Sequence, residues 1–138
     1  MPNSKNSFRN QFIFNQNTKT TLLDGYATTS DSVGTIGSSN FAGGTFSRVS
    51  AGTYDLLLDQ AYPAFLSFNA TVHSPNVRTG LEAEIVWHNT SGTVAPLGWA
   101  AQTVRFVFLS GTTPTDLPAN AGFDVTLLVK DSVAPAGS

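Results

Sequence analysis

The residues able to do chemistry are few, and their spacing is informative. Glu82 and Glu84 stand two positions apart in the stretch LEAEIVWH. On an extended strand that spacing points both side chains to one side. Paired carboxylates serve as acid and base in glycoside hydrolysis. The outward face of a half-buried strand gives the same pattern, and that solvated reading is the expected one. Asp55 and Asp59 also share a face, with Leu57, but lie too far apart along a strand to cooperate; they read as solvated strand and turn positions. His73 and His88, the two histidines, each end a strand. With Glu82 or Glu84 they would make a metal site only if their strands were neighbours, and nothing in the spacing requires that. A nucleophilic triad needs a buried Ser-His-Asp arrangement, and no Gly-x-Ser-x-Gly elbow is present. Trp87 and Trp99 are candidates for an interface or a sugar-stacking contact, and tryptophan in a β-domain more often fills core or interface. Asn69-Ala70-Thr71 and Asn89-Thr90-Ser91 match the glycosylation acceptor pattern, which recurs by chance and is expected to be silent. Catalysis, cofactor and metal are therefore not expected.

The elements around these residues read as short strands. Thr45 to Pro63 is organised as a hairpin and a corner. Phe46 and Arg48 alternate with Ser47 and Val49. Ser50-Ala51-Gly52 turns the chain, because glycine accepts the positive φ of a tight reversal. Thr53 to Leu58 then places Tyr54, Leu56 and Leu58 on one face. Tyr62-Pro63 stops the ladder, since proline has no N–H to donate. Ala64, Leu66, Phe68, Ala70 and Val72 alternate with Phe65, Ser67, Asn69 and Thr71 as the next strand. Ser74-Pro75-Asn76 is a turn. Leu81, Ala83, Ile85 and Trp87 are expected inward, and Glu82, Glu84 and His88 outward. Val104, Phe106 and Phe108 mark one more strand, and Phe123, Val125, Leu127 and Val129 the last. Before the hairpin, Thr18 to Thr28 reads as a strand broken by an Asp24-Gly25 turn. Thr29 to Gly44 reads as a long Gly/Ser loop or a very short strand within one. No Gly-Lys-Ser/Thr follows it, so it is not a phosphate loop. Gly111 to Gly122 is a proline-punctuated connection.

About eight such strands without helical period predict an all-β single domain, an antiparallel β-sandwich or jelly roll. The expected organisation is an extended N-terminal arm over 1–17, a β-sandwich over 18–132 and a loose tail over 133–138. The arm is Asn-rich, yet carries Phe8, Phe12, Ile13 and Phe14 beside Lys5 and Arg9. Disordered tails seldom hold so many large apolar groups. It is read as an arm that orders by docking elsewhere, or as a first strand from Gln11 to Asn15; the two can coexist.

Composition narrows the function classes. The chain has 138 residues, of which 41% are hydrophobic and 12% charged, with a net charge of −2 and no cysteine. The charged share is about half of the usual ~25%. That fits a surface partly covered by partners, or a domain from a Ser/Thr-rich lineage. The seven basic residues are scattered, with Arg48, Arg78 and Arg105 in different elements, so no nucleic-acid groove is expected. No run approaches the ~20 apolar residues of a membrane helix. MPNSKNSFRNQF has no apolar core of signal-peptide length, so synthesis in a cytoplasm without a cleaved signal is expected.

The stretch FSRVSAGTYDLLLD, then Ala61-Tyr62-Pro63 and Phe65-Leu66-Ser67, resembles small virion proteins of tailed bacteriophages. The shared pattern is an Arg-bearing strand, a Gly-x-Tyr hairpin, a Leu-Asp strand end and a Tyr-Pro corner leading to Ala70-Thr71-Val72. Val107 to Val129 is similar too, with Asp116-Leu117-Pro118 before a Val-Thr-Leu-Leu-Val strand. The resemblance covers roughly 45 to 132 and leaves out the arm and the Gly-rich loop. It implies a capsid decoration (cement) protein on the capsid exterior of a virion, bridging neighbouring shell subunits without catalysis. Its partners would be the major capsid protein and copies of itself, expected as a homotrimer. The arm residues Lys5, Phe8, Arg9, Phe12 and Phe14 would then dock on a shell subunit or a sister copy. The other reading is a head-fibre or tail-fibre tip domain that binds host glycan through Trp87 or Trp99.

Overall fold

The computed structural model describes residues 11–14, 19–75, 81–88 and 101–130. Apolar residues alternate with polar ones along most of these segments, and each strand buries one row. The strands are β1 (Gln11–Phe14), β2 (Lys19–Thr29), β3 (Ile36–Phe41), β4 (Gly44–Ser50), β5 (Thr53–Tyr62), β6 (Ala64–His73), β7 (Leu81–His88), β8 (Ala101–Ser110), β9 (Thr113–Pro114) and β10 (Gly122–Lys130). They form two antiparallel sheets. The first runs β1-β2-β10-β6, with β3 also paired to β2; the second runs β4-β5-β8-β7, with β9 on β8. The protein is an all-β antiparallel β-sandwich.

The inward rows meet in an aromatic core. Tyr54, Leu56, Val104, Phe106 and Phe108 come from the second sheet, and Leu23, Phe123, Val125, Leu127 and Val129 from the first; all have no solvent exposure. Phe123 spans the two layers, with its ring centroid 5.3 Å from Phe46, 5.0 Å from Tyr54 and 5.2 Å from Phe108. Offset and edge-on rings at such separations add to their burial energy.

The chain changes sheets where the expected corner lies. β5 ends at Tyr62 in the second sheet, and β6 starts at Ala64 in the first. The hairpin of β4 and β5 turns through Ala51-Gly52, with Gly52 at φ +63°.

Asp24-Gly25 is not a turn. Both lie within the continuous β2, where Gly25 pairs with Val125 on one side and Phe41 on the other. Glycine is needed there for close approach: a Cβ would meet the carbonyl oxygen of Asn40 and lie 2.6 Å from Phe41 Cα. Gly25→Ala is expected to force β3 off β2 at a cost of about 1–3 kcal/mol, the range for overpacking. A urea melt would register this as a lower midpoint with an unchanged slope. Thr29 to Gly44, read as a loop or a very short strand within one, holds the six-residue β3. Asp31 Oδ1 closes the remaining turn by accepting from the N–H groups of Thr35 (3.0 Å) and Val33 (3.1 Å). The Thr35 N–H is the main reason its carboxyl titrates below the usual range.

Two β-bulges reassign faces. In β6, Leu128 pairs with Ser67 but Val129 with Phe65, so Leu66 is the extra residue. Phe65, which simple alternation groups with Ser67, Asn69 and Thr71, is therefore buried. In β7, Ile85 pairs with Phe106 but Trp87 with Arg105, so Val86 is extra. Beyond it the parity inverts, and both terminal residues contradict their expected sides. Trp87 takes the outer face. His88 is buried opposite Val104, its ring stacked on Phe65 at 4.1 Å. The extra residue that a bulge inserts shifts every later side chain to the other face.

Residues Gln11–Phe14 pair with Lys19–Leu22 of the same chain, which matches the first-strand reading of that stretch. Lys5, Phe8, Arg9, Arg78, Trp99, the side chains of Phe12 and Phe14 and the tail over 133–138 lie outside the described residues.

Candidate functional site

The outer face of the second sheet brings together the groups best suited to binding. Register places Ser47, Asp55, Arg105 and Trp87 in one row across β4, β5, β8 and β7. Arg105 donates from Nε to Asp55 Oδ1 (2.7 Å) and from Nη2 to Asp55 Oδ2 (2.9 Å). This two-pronged contact matches the planar guanidinium to the carboxylate, and it raises the Arg105 pKa further. The same guanidinium lies over the Trp87 ring, 4.8 Å from its centroid, within the range of a cation–π contact. Asp55 is thus a fixed hydrogen-bond acceptor rather than the solvated position expected.

Apolar surface surrounds this row. Leu57 is 51% exposed and Val86 41% exposed on the same sheet. Leu57 stands outward beside Asp55, and the β7 bulge pushes Val86 out. Glu84, Val86, Val107, Leu109 and Thr112 line a shallow depression of about 450 Å³ next to them. On this face tryptophan on the edge strand β7 and arginine on the adjoining β8 are held in contact. Those two residue types are enriched among the few that dominate protein–protein binding energy.

Other polar groups are arranged for structure. At one end of the sandwich Asp116 Oδ1 accepts from Arg48 Nη2 (3.0 Å) and from the Gly52 N–H (2.8 Å). The buried Tyr54 hydroxyl donates to the Gly34 carbonyl (2.6 Å). Thr29 Oγ1 donates to the Pro118 carbonyl (2.6 Å) and accepts from the Ala121 N–H (3.1 Å). Three connections are thereby tied to the strand ends. The sequence reading did not single out Asp116 or Tyr54 for this; the one available signal was a Tyr in an otherwise aliphatic inward row.

The histidines and glutamates that could have formed a metal set lie apart. His73 lies on the outer face of the first sheet, Glu82 and Glu84 on the outer face of the second, and His88 in the core. Among the described residues no three metal-binding side chains cluster. His73 Nε2 instead lies 3.2 Å from Asp124 Oδ2. Beside that pair, the 46%-exposed Tyr26 lines a depression of about 340 Å³. Of the candidates from sequence, Trp87, Glu82 and Glu84 fall on the binding face; Lys5, Phe8, Arg9, Trp99 and the side chains of Phe12 and Phe14 are outside the described residues. No protein-family model, curated protein or solved structure matches this chain.

Proposed function

We propose that the protein is a structural component of a phage virion that decorates the capsid exterior and stabilises it by bridging neighbouring shell subunits. The observation that carries this reading is the outer face of the second sheet: Trp87 and Arg105 locked together, and Leu57 and Val86 exposed beside them. The low charged fraction agrees with a surface meant to be covered.

Magnitudes favour many copies on a lattice over one isolated contact. Covering the exposed parts of Leu57, Val86 and Trp87 contributes about 1 kcal/mol per side chain, less than half of a full burial. Association alone costs an estimated 4–15 kcal/mol. One face therefore binds weakly. A subunit that touches a shell through this face and a second element gains from effective concentration, which is the setting of a cement protein.

The test is co-sedimentation with empty capsid shells. Wild-type protein should pellet with shells, and Leu57→Asp with Val86→Asp should weaken this by tenfold or more while the melting temperature stays unchanged. A double variant that still decorates shells at full occupancy would overturn the assignment of this face. Among the described residues, the fibre-tip reading gains support from the Tyr26 depression with His73 and Asp124. Glycan-array binding lost on Tyr26→Ala, without shell binding, would establish that reading in place of decoration.

A further inference from the structure

The spacing and charge of the outer face of the second sheet specify the kind of partner it takes. Glu82 and Glu84 are exposed on β7. Register sets Glu84 beside Val107 and Glu82 beside Leu109 of β8. A row of carboxylates thus runs alongside a row of aliphatic side chains, close enough to share one guest. The depression of about 450 Å³ lies on these rows, lined by Glu84 and Val86 on β7, Val107 and Leu109 on β8, and the turn at Gly111-Thr112.

The carboxylates are unanswered within the chain. Arg105, the cation of this face, has two nitrogens committed to Asp55. Glu82, Glu84 and the exposed Asp59 make no ion pair among the described residues. Pairing this face with the same face of a second copy would set glutamates against glutamates, and like charges across an interface oppose association. A partner with positive charge is therefore required.

Spacing narrows the partner further. Residues two apart on a strand lie roughly 6.7 Å apart along one side. A strand stacked over this face as a second sheet would be, ~10 Å away, presents its own alternate residues at the same interval. Two basic residues at i and i+2 then meet Glu82 and Glu84, with their methylene stems lying over Leu109 and Val107. Beyond Glu84 the bulge exposes Val86 and turns Trp87 outward, so the next residue on that side of the partner is apolar. This chain cannot supply such a segment, because nowhere in its 138 residues do two basic residues stand two apart.

We propose that this face receives an extended segment of a different protein, with lysine or arginine at two alternate positions and an apolar residue at the next. The proposal rests on this face meeting a partner, and not on that partner being a capsid shell.

Two synthetic peptides of one composition test it by NMR titration of the full chain. Leu-Ser-Lys-Ser-Lys-Ser-Leu places both lysines and both leucines on one side when extended, in either strand direction. Leu-Lys-Lys-Ser-Ser-Ser-Leu splits its lysines between the two sides. The first should bind about two- to fivefold tighter, the worth of one exposed ion pair. Its shifts should centre on the amides of Glu82, Glu84, Val107 and Leu109. Glu82→Gln with Glu84→Gln should weaken it by about two- to thirtyfold, the worth of two such pairs, and abolish the preference at an unchanged melting temperature. Equal affinity for both peptides, undiminished binding to the glutamine variant, or no binding at all would overturn the segment. Shells that take up the glutamine variant fully, yet reject Leu57→Asp with Val86→Asp, would overturn it too and leave decoration standing. Discrimination between the peptides by a protein that ignores shells would sink decoration and leave the segment standing.

Discussion

Phe106→Ala is expected to lower the stability of the domain by about 3–5 kcal/mol, the range for truncating a buried aromatic. Phe106 has no solvent exposure and meets five rings: Phe46, Tyr54, Phe68, Phe108 and Phe123, at centroid separations of 5.3–6.3 Å. Two of these, Phe68 and Phe123, belong to the opposite sheet. The cavity would therefore open at the joint between layers, where neither sheet can collapse without tilting against the other. Domains of this kind hold about 5–15 kcal/mol in total, so this one change removes a large share. Guanidinium melts of the two proteins would show it as a lower midpoint. A midpoint within a tenth of a molar of wild type would mean that the sheets do not meet through this ring. Phe106→Leu, which keeps most of the volume, should recover much of the loss.

The second expected result is a loss of stability in alkali that depends on one hydroxyl. Tyr54 is fully buried and donates to the Gly34 carbonyl. Burial, with the nearby Asp116 carboxylate adding to it, pushes its pKa up from 10 to about 12. The unfolded chain then releases this proton near pH 10 while the folded chain keeps it until about pH 12. Between those values the unfolded state binds fewer protons, so stability falls as pH rises. Two pH units at ~1.36 kcal/mol each amount to roughly 2–3 kcal/mol. Below pH 10 both states hold the proton, and the contribution is flat. Tyr54→Phe should cost about 0.5–1.5 kcal/mol at neutral pH, the net worth of one hydrogen bond. It should also flatten the decline between pH 10 and 12. Denaturant melts at half-unit pH intervals would compare the two chains. Parallel curves across that window would assign the alkaline loss to other groups.

Both results follow from inward rows that can be read in the residues themselves. Alternation at period two marks Tyr54-Leu56-Leu58, Val104-Phe106-Phe108 and Phe123-Val125-Leu127-Val129, and each row is buried. These rows suffice for an all-β sandwich, because a strand with one apolar face must cover it with another layer. The Tyr-Pro corner and the Gly52 turn are local devices, set by one proline and one glycine, so they too were legible.

What tertiary structure alone decided is which side of a sheet certain residues occupy and which distant groups they meet. Leu66 and Val86 look like ordinary strand positions, yet each is the extra residue of a bulge. The bulges bury Phe65 and His88 and turn Trp87 outward. A bulge is fixed by the partner strand's register, which a single strand's residue order does not contain. Asp24-Gly25 has the composition of a turn, but its glycine answers to the backbone of β3, more than a dozen residues away. Asp55 and Arg105 lie 50 residues apart, and only the alignment of β5 with β8 makes them a pair. The binding face was thus present in the sequence as Leu57, Val86, Trp87 and Arg105, with nothing to show that they share a surface. Periodicity is local and survives in the residue order; register and parity are relations between strands and exist only once the sheets have formed.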